Sequence, residues 1–217
     1  MAVGILVGNV FYGWHERKAT DHVAGLSYAG AAIAALHAGD LVTLFIWWEA
    51  TAVTSVFLIL ASGTQRARRA AMRYLIVQVA SGVLLLAGAA MLYSKSGSLA
   101  FAGMTLGSTG TWMIFIAFGI KAAFPLLNGW LQDAYPEATV VGTVVLSSFT
   151  TKLAIYALAR GFAGTDLLIL IGCLMTAFPV FFAVIENDMR RVLAYSLNNQ
   201  LGFMLSLIHI SEPTRLG

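Results

Sequence analysis

The chain is a succession of apolar runs of about 20 residues joined by short polar links, and this spacing leaves few folds open. At a rise of about 1.5 Å per residue, each run makes a helix as long as the hydrocarbon layer of a bilayer is thick. Hydropathy places a partial helix over 1–14 and helices near 22–39, 41–62, 71–94, 111–131, 138–160 and 166–185, with another starting near 191. Barrel strands need only about half that length, so the runs exclude a transmembrane barrel. Of the 217 residues, 59% are hydrophobic and 11% charged, against about 25% charged in soluble domains. The fold class expected is all-α, a polytopic transmembrane helical bundle.

The basic residues set the orientation. Arg17, Lys18, Arg66, Arg68, Arg69, Arg73, Arg190 and Arg191 fall in alternate links, and the opposite links hold Lys95 and Arg160. This eight-to-two asymmetry places the first group on the cytoplasmic side. The net charge of +3 is therefore read as a topology signal and not as a nucleic-acid surface.

Three ionisable residues remain inside the runs: Glu49, Lys121 and Lys152. Counted from the outer helix ends, they lie at depths of about 12, 15 and 12 Å, in one layer near the midplane. A charge there is costly, and facing charges of opposite sign offset one another and conduct protons. Burial disfavours a lysine ammonium and a neighbouring carboxylate favours it, so a lysine held between the two can change protonation state. Glu49, Lys121 and Lys152 are thus the expected proton relay; the alternative is a Glu–Lys pair that only fixes helix packing.

Within "FIAFGIKAAFPLLNGWL", Pro125 follows Lys121 by four residues and removes the helical bond to its carbonyl. Interrupted helices line ion sites in transporters, so Pro125 is the expected helix break. The run "SSFTT" before Lys152 supplies Ser147, Ser148, Thr150 and Thr151 as a polar path, or as small packing residues. Trp47 and Trp48 read as packing or interface residues. His22 and His37 sit at the two ends of one short helix, unlike paired haem ligands. No phosphate loop, metal cluster or nucleophile–base spacing stands out, so no cofactor, metal or catalytic residue is expected, and lone Cys173 reads as a core residue.

The two ends read differently. Residues 1–14 lack a basic n-region and a cleavage site and resemble the end of a truncated helix. "LSLIHISEPTR" (Leu205–Arg215) resembles a translated sequencing adapter, so the fold is expected to stop near Met204, leaving out His209, Glu212, Pro213 and Arg215.

"DLVTLFIWWEATAVTSVFLI", "AFGIKAAFPLLNGWLQDAYPEATVVGTVVLSSFTTKLAIYALARG" and "NDMRRVLAYSLNNQLGFM" resemble the core of the antiporter-like proton-conducting subunits. These occur in the membrane arm of respiratory complex I (NADH:quinone oxidoreductase) and in multisubunit monovalent-cation/proton antiporters. The resemblance covers Val23 to Met204 and is nearest the D-type antiporter subunits. It implies a fragment of a fold of about fourteen helices with inverted repeats. By it, 22–160 is the first repeat (helices 4–8), 161–204 the truncated start of the second (helices 9–10), and 205–217 the adapter-derived tail. Glu49, Lys121 and Lys152 then match the glutamate of helix 5 and the lysines of helices 7 and 8. "YSLNNQLG" departs from the more usual serine-rich start of that helix. The function implied is proton translocation in an Na⁺ or K⁺/proton antiporter. The alternatives are a complex I or related hydrogenase subunit, which would be part of a translocase, and a non-conducting scaffold. The partners implied are other integral-membrane subunits, protons and possible cations in the bacterial inner membrane.

Overall fold

The computed structural model describes residues 8, 11–14 and 18–209; among them, regular structure is helical apart from one isolated bridge between Asp40 and Ala100. In chain order the helices are α1 (Ala19–Leu36), α2 (Leu41–Leu60), α3 (Gln65–Ser96), α4 (Thr109–Lys121), α5 (Gly129–Ala134), α6 (Val140–Gly161), α7 (Asp166–Ile185) and α8 (Met189–Ser206), followed by a 3₁₀ turn at Leu207–His209. By length and composition α2, α3, α6 and α7 can each cross a membrane. The protein is an all-helical integral membrane bundle.

Short side-chain caps explain how so many helices start after so few link residues. Asp40 accepts from the Thr43 amide at 2.8 Å, Thr64 from Ala67 at 3.0 Å, and Thr139 from Gly142 at 3.0 Å. Ser108 and Thr111 cap α4 reciprocally. The Thr64 cap also corrects a boundary. The arginines expected in a link before residue 71 lie in the opening turns of the 32-residue α3, where Arg and Ala favour helix.

Helices α2, α3 and α4 pack in sequence, α6 closes against α1, α2 and α4, and α7 pairs with α8. The α7–α8 crossing is tight because a Cβ on Gly172 would lie 2.8 Å from the Ser206 amide nitrogen. On the side marked by Lys95 and Arg160, the link after α3 folds over the bundle. Leu41 donates to the Leu99 carbonyl at 2.9 Å, and Met104 to that of Gly161 at 2.6 Å. Arg160 donates to the Ala38 carbonyl at 2.7 Å and lies over the Phe101 ring. On the opposite side, Arg73 pairs with Asp133 at 3.2 Å and ties α3 to α5.

The helix expected over 111–131 with a break at Pro125 is divided into α4 and α5 by residues 122–128. Two further expectations change. Cys173 is exposed and not in the core, because α7 packs chiefly against α8 and turns its other face outward. The C-terminal helix also continues past Met204 to Ser206, because Leu205 and Ile208 are buried against the bundle. Of the residues left out of the fold, Glu212, Pro213 and Arg215 lie outside the described region, as does most of 1–14.

Candidate functional site: a buried lysine at a helix break

Helix α4 ends at Lys121, three residues before Phe124 and four before Pro125. The Phe124 amide donates to the Gly119 carbonyl at 2.9 Å and the Ala123 amide to that of Ile120 at 3.2 Å. This is a Schellman termination, with Ala123 in the left-handed region at φ 62° where glycine is usual. The Phe124 ring packs onto Gly119, and a Cβ at 119 would overlap it. Pro125 and Leu126 form the centre of the next turn, closed by the Leu127 amide on the Phe124 carbonyl at 2.9 Å, with Leu126 at φ 70°. From α5, Trp130 returns its indole N–H to the Ile120 carbonyl at 2.9 Å. Pro125 thus belongs to the break but does not begin it.

The break leaves Lys121 as the last residue of α4, where the negative end of the helix dipole favours a cation. Its side chain is completely buried. The amine donates to the Trp48 carbonyl at 2.8 Å and to the Thr51 hydroxyl at 2.8 Å, and lies 4.2 Å from the centre of the Trp48 ring. Thr51 passes its own proton to the same Trp48 carbonyl at 2.7 Å. The indole is fixed in turn: Nε1 donates to Ser81 on α3 at 3.0 Å, and Ser81 donates to the Ala117 carbonyl of α4 at 2.8 Å. Three helices therefore hold the face against which the amine rests.

An ammonium has three N–H donors and a neutral amine has two. The same two bonds can serve Lys121 in either state, so loss of its proton leaves no acceptor unmet.

Glu49 is the residue after Trp48, close enough to Lys121 for charge interaction but not in ion-pair contact with it. Its carboxylate occupies the space left by Gly82 on α3, where any Cβ would overlap it. One carboxylate oxygen is buried without a hydrogen-bond partner among the described residues. The direct answer to the lysine charge is thus the turn from Trp48 to Thr51, with Glu49 beside it.

Lys152, half-buried on α6, reaches back to the Ser147 carbonyl at 2.6 Å. The expected polar path splits. Ser147 and Ser148 return their hydroxyls to the Val144 carbonyl, as serines in helices commonly do. Thr150 is buried and bonded to Tyr28 of α1, while the buried Thr151 hydroxyl has no partner among the described residues.

Residues 38–214 match the family "NADH:quinone oxidoreductase/Mrp antiporter, TM". The chain belongs to this family. It is 30% identical over 187 residues to the D-type Na(+)/H(+) antiporter subunit of Alkalihalophilus pseudofirmus, covering 77% of this chain and 38% of the relative. It is also 30% identical over 199 residues to the NAD(P)H-quinone oxidoreductase chain 4 2 of Microcystis aeruginosa, covering 83% of this chain and 36% of the relative. Among solved structures, a chain of the Mrp complex from Dietzia sp. DQ12-45-1b superposes with a TM-score of 0.78 at 27% identity, over 85% of this chain and 38% of that one. The chain therefore spans well under half the length of these family members.

Sequence reading missed Trp48, Thr51, Ser81 and Gly82 as the surroundings of Lys121. A signal existed: Thr51 and Ser55 recur one turn apart in α2, as do Gln78 and Gly82 in α3.

Proposed function

We propose that the chain is the proton-handling part of an antiporter-like subunit in a multisubunit monovalent-cation/proton antiporter exchanging Na⁺ or K⁺. Glu49, Lys121 and Lys152 form its relay, 22–160 being the first repeat and 161–204 the start of the second. The observation that carries this reading is Lys121, fully buried at a helix end with partners that suit both its charged and its neutral form. Kinship with a D-type antiporter subunit supports the choice of system. Glu49, anchored in the Gly82 notch, biases the charge on Lys121, and Lys152 is the next station.

The test places this segment in a full-length family subunit assembled with its partner subunits in membrane vesicles. Lys121→Ala is expected to abolish proton-coupled transport while the complex still assembles; wild-type transport would sink the relay. A scaffold role predicts instead that joint apolar replacement of Glu49 and Lys121 leaves transport intact.

A second reading rests on the equal identity to a quinone oxidoreductase chain: a membrane-arm component powered by quinone reduction. Genes for redox subunits beside this one would favour it, and genes for small antiporter subunits would exclude it.

A further inference from the structure

Away from the Lys121 site, the opening turns of α3 carry a second concentration of charge. They bury Ala67, Ala70 and Ala71 against the bundle and leave Arg66, Arg68, Arg69 and Arg73 exposed. Arg68, Arg69, Met72 and Arg73 wall an open cleft of about 480 Å³. Arg73 leans to Asp133 at 3.2 Å, and no carboxylate among the described residues pairs with Arg66, Arg68 or Arg69. Arg69 and Arg73 stand four apart on one helix and repel each other. That repulsion falls when an anion enters the cleft. Topology requires positive charge at this end of the bundle, but it does not require the charges to be gathered on one outward helix face.

The face continues below the arginines. At about 100° of turn per residue, Arg68, Arg69, Met72, Ile76, Val79 and Val83 fall within one sector of about 100°. All six are exposed. Met72 to Val83 covers about 16 Å, the depth of one leaflet of a hydrocarbon layer about 30 Å thick. Helix α3 has 32 residues. At about 48 Å it outreaches that layer, so its first turns stand at the level of the lipid headgroups. The face thus presents guanidinium forks at phosphate height and an apolar track of acyl-chain length directly beneath them. A guanidinium fork meets phosphate oxygens in pairs. A soluble anion would use the arginines and ignore the track, whereas an apolar helix of another subunit would use the track and leave the arginines unanswered.

We infer that this face of α3 is a binding site for an anionic phospholipid. Arg68 and Arg69 hold the phosphate, and an acyl chain lies along Met72, Ile76, Val79 and Val83. The site is independent of the proton relay, and neither assignment depends on the other.

The experiment places the full-length subunit, assembled with its partner subunits, in phosphatidylcholine vesicles that contain a phosphatidylglycerol with a photoreactive diazirine at the head end of one acyl chain. Illumination is expected to leave adducts on residues 66–76, and unlabelled phosphatidylglycerol to displace them. Joint Arg68→Gln and Arg69→Gln should cut labelling of this segment at least tenfold, at about fivefold per arginine. Joint Arg68→Lys and Arg69→Lys keeps the charge and the topology signal but loses the forks, so it should label less than wild type. Lys95→Gln, at the far end of α3, is the control and should label normally. Labelling by a phosphatidylcholine probe of the same design to the same extent would overturn the site, as would displacement by millimolar inorganic phosphate. Full labelling of the lysine variant would reduce it to general surface charge and overturn it too. Absence of adducts on the wild-type segment would mean that a partner subunit covers the cleft, which also overturns it. The wild-type measurements decide the matter even where a variant fails to assemble.

Discussion

Replacing Gly82 by alanine moves the Glu49 carboxylate without removing it. The new methyl would overlap that carboxylate, so the acid must retreat by about 2 Å to reach ordinary contact. Glu49 is only partly buried and its far end is flexible, so the retreat is feasible at a rotamer cost of about 0.5–1.5 kcal/mol. Alanine in place of glycine inside a helix returns about 0.5–1 kcal/mol, leaving net stability almost unchanged. The electrostatic effect is separate. Moving a charge about 2 Å, at a few ångströms from another in a medium of effective dielectric about 20, changes their interaction by roughly 0.5–1 kcal/mol. If Glu49 biases the charge on Lys121, transport should fall about two- to fivefold while the melting temperature of the assembled complex stays within a few degrees. Initial rates of acid-induced dye quenching in vesicles and thermal unfolding of the purified complex measure the two effects. Unchanged transport in a normally folded variant would refute the role given to Glu49. A complex that no longer assembles would refute the claim that its carboxylate can yield.

Other consequences are local. Thr51→Val keeps the shape but removes a hydrogen bond from a fully buried amine; a loss of about 1.5–3 kcal/mol is expected by unfolding of the assembled complex. Ala123→Gly relieves a left-handed alanine and should stabilise by about 0.5–1 kcal/mol, seen as a raised melting temperature. The Thr43 hydroxyl and amide hold the Asp40 carboxyl below the usual range, so its cap is at full strength above the ordinary aspartate pKa and fades as pH falls through the lower folded value. Asp40→Asn should flatten that acid limb of stability in a pH series of melts, whereas an identical limb would place the effect elsewhere.

Hydropathy alone set the class of fold, the approximate positions of the helices and the three charges enclosed by them, although only four of the expected spans are long and apolar enough to cross a membrane among the described residues. These follow from composition and from the rise of a helix, which are local. The sequence also exposed the break beside Lys121, because proline cannot continue a helix. It did not reveal that α4 ends before the proline, since that stop depends on Ala123 taking a left-handed conformation and Phe124 lying on Gly119. Nor did it reveal what the lysine touches. Trp48 and Thr51 lie 73 and 70 residues away in the chain, and only the rotation of α2 against α4 brings their oxygens to the amine. The same packing sets Glu49 into the Gly82 notch and brings the Tyr28 hydroxyl of α1 onto Thr150 of α6. Hydropathy fixes that a residue is in the membrane; which neighbour it meets there is decided by the faces the helices turn to one another.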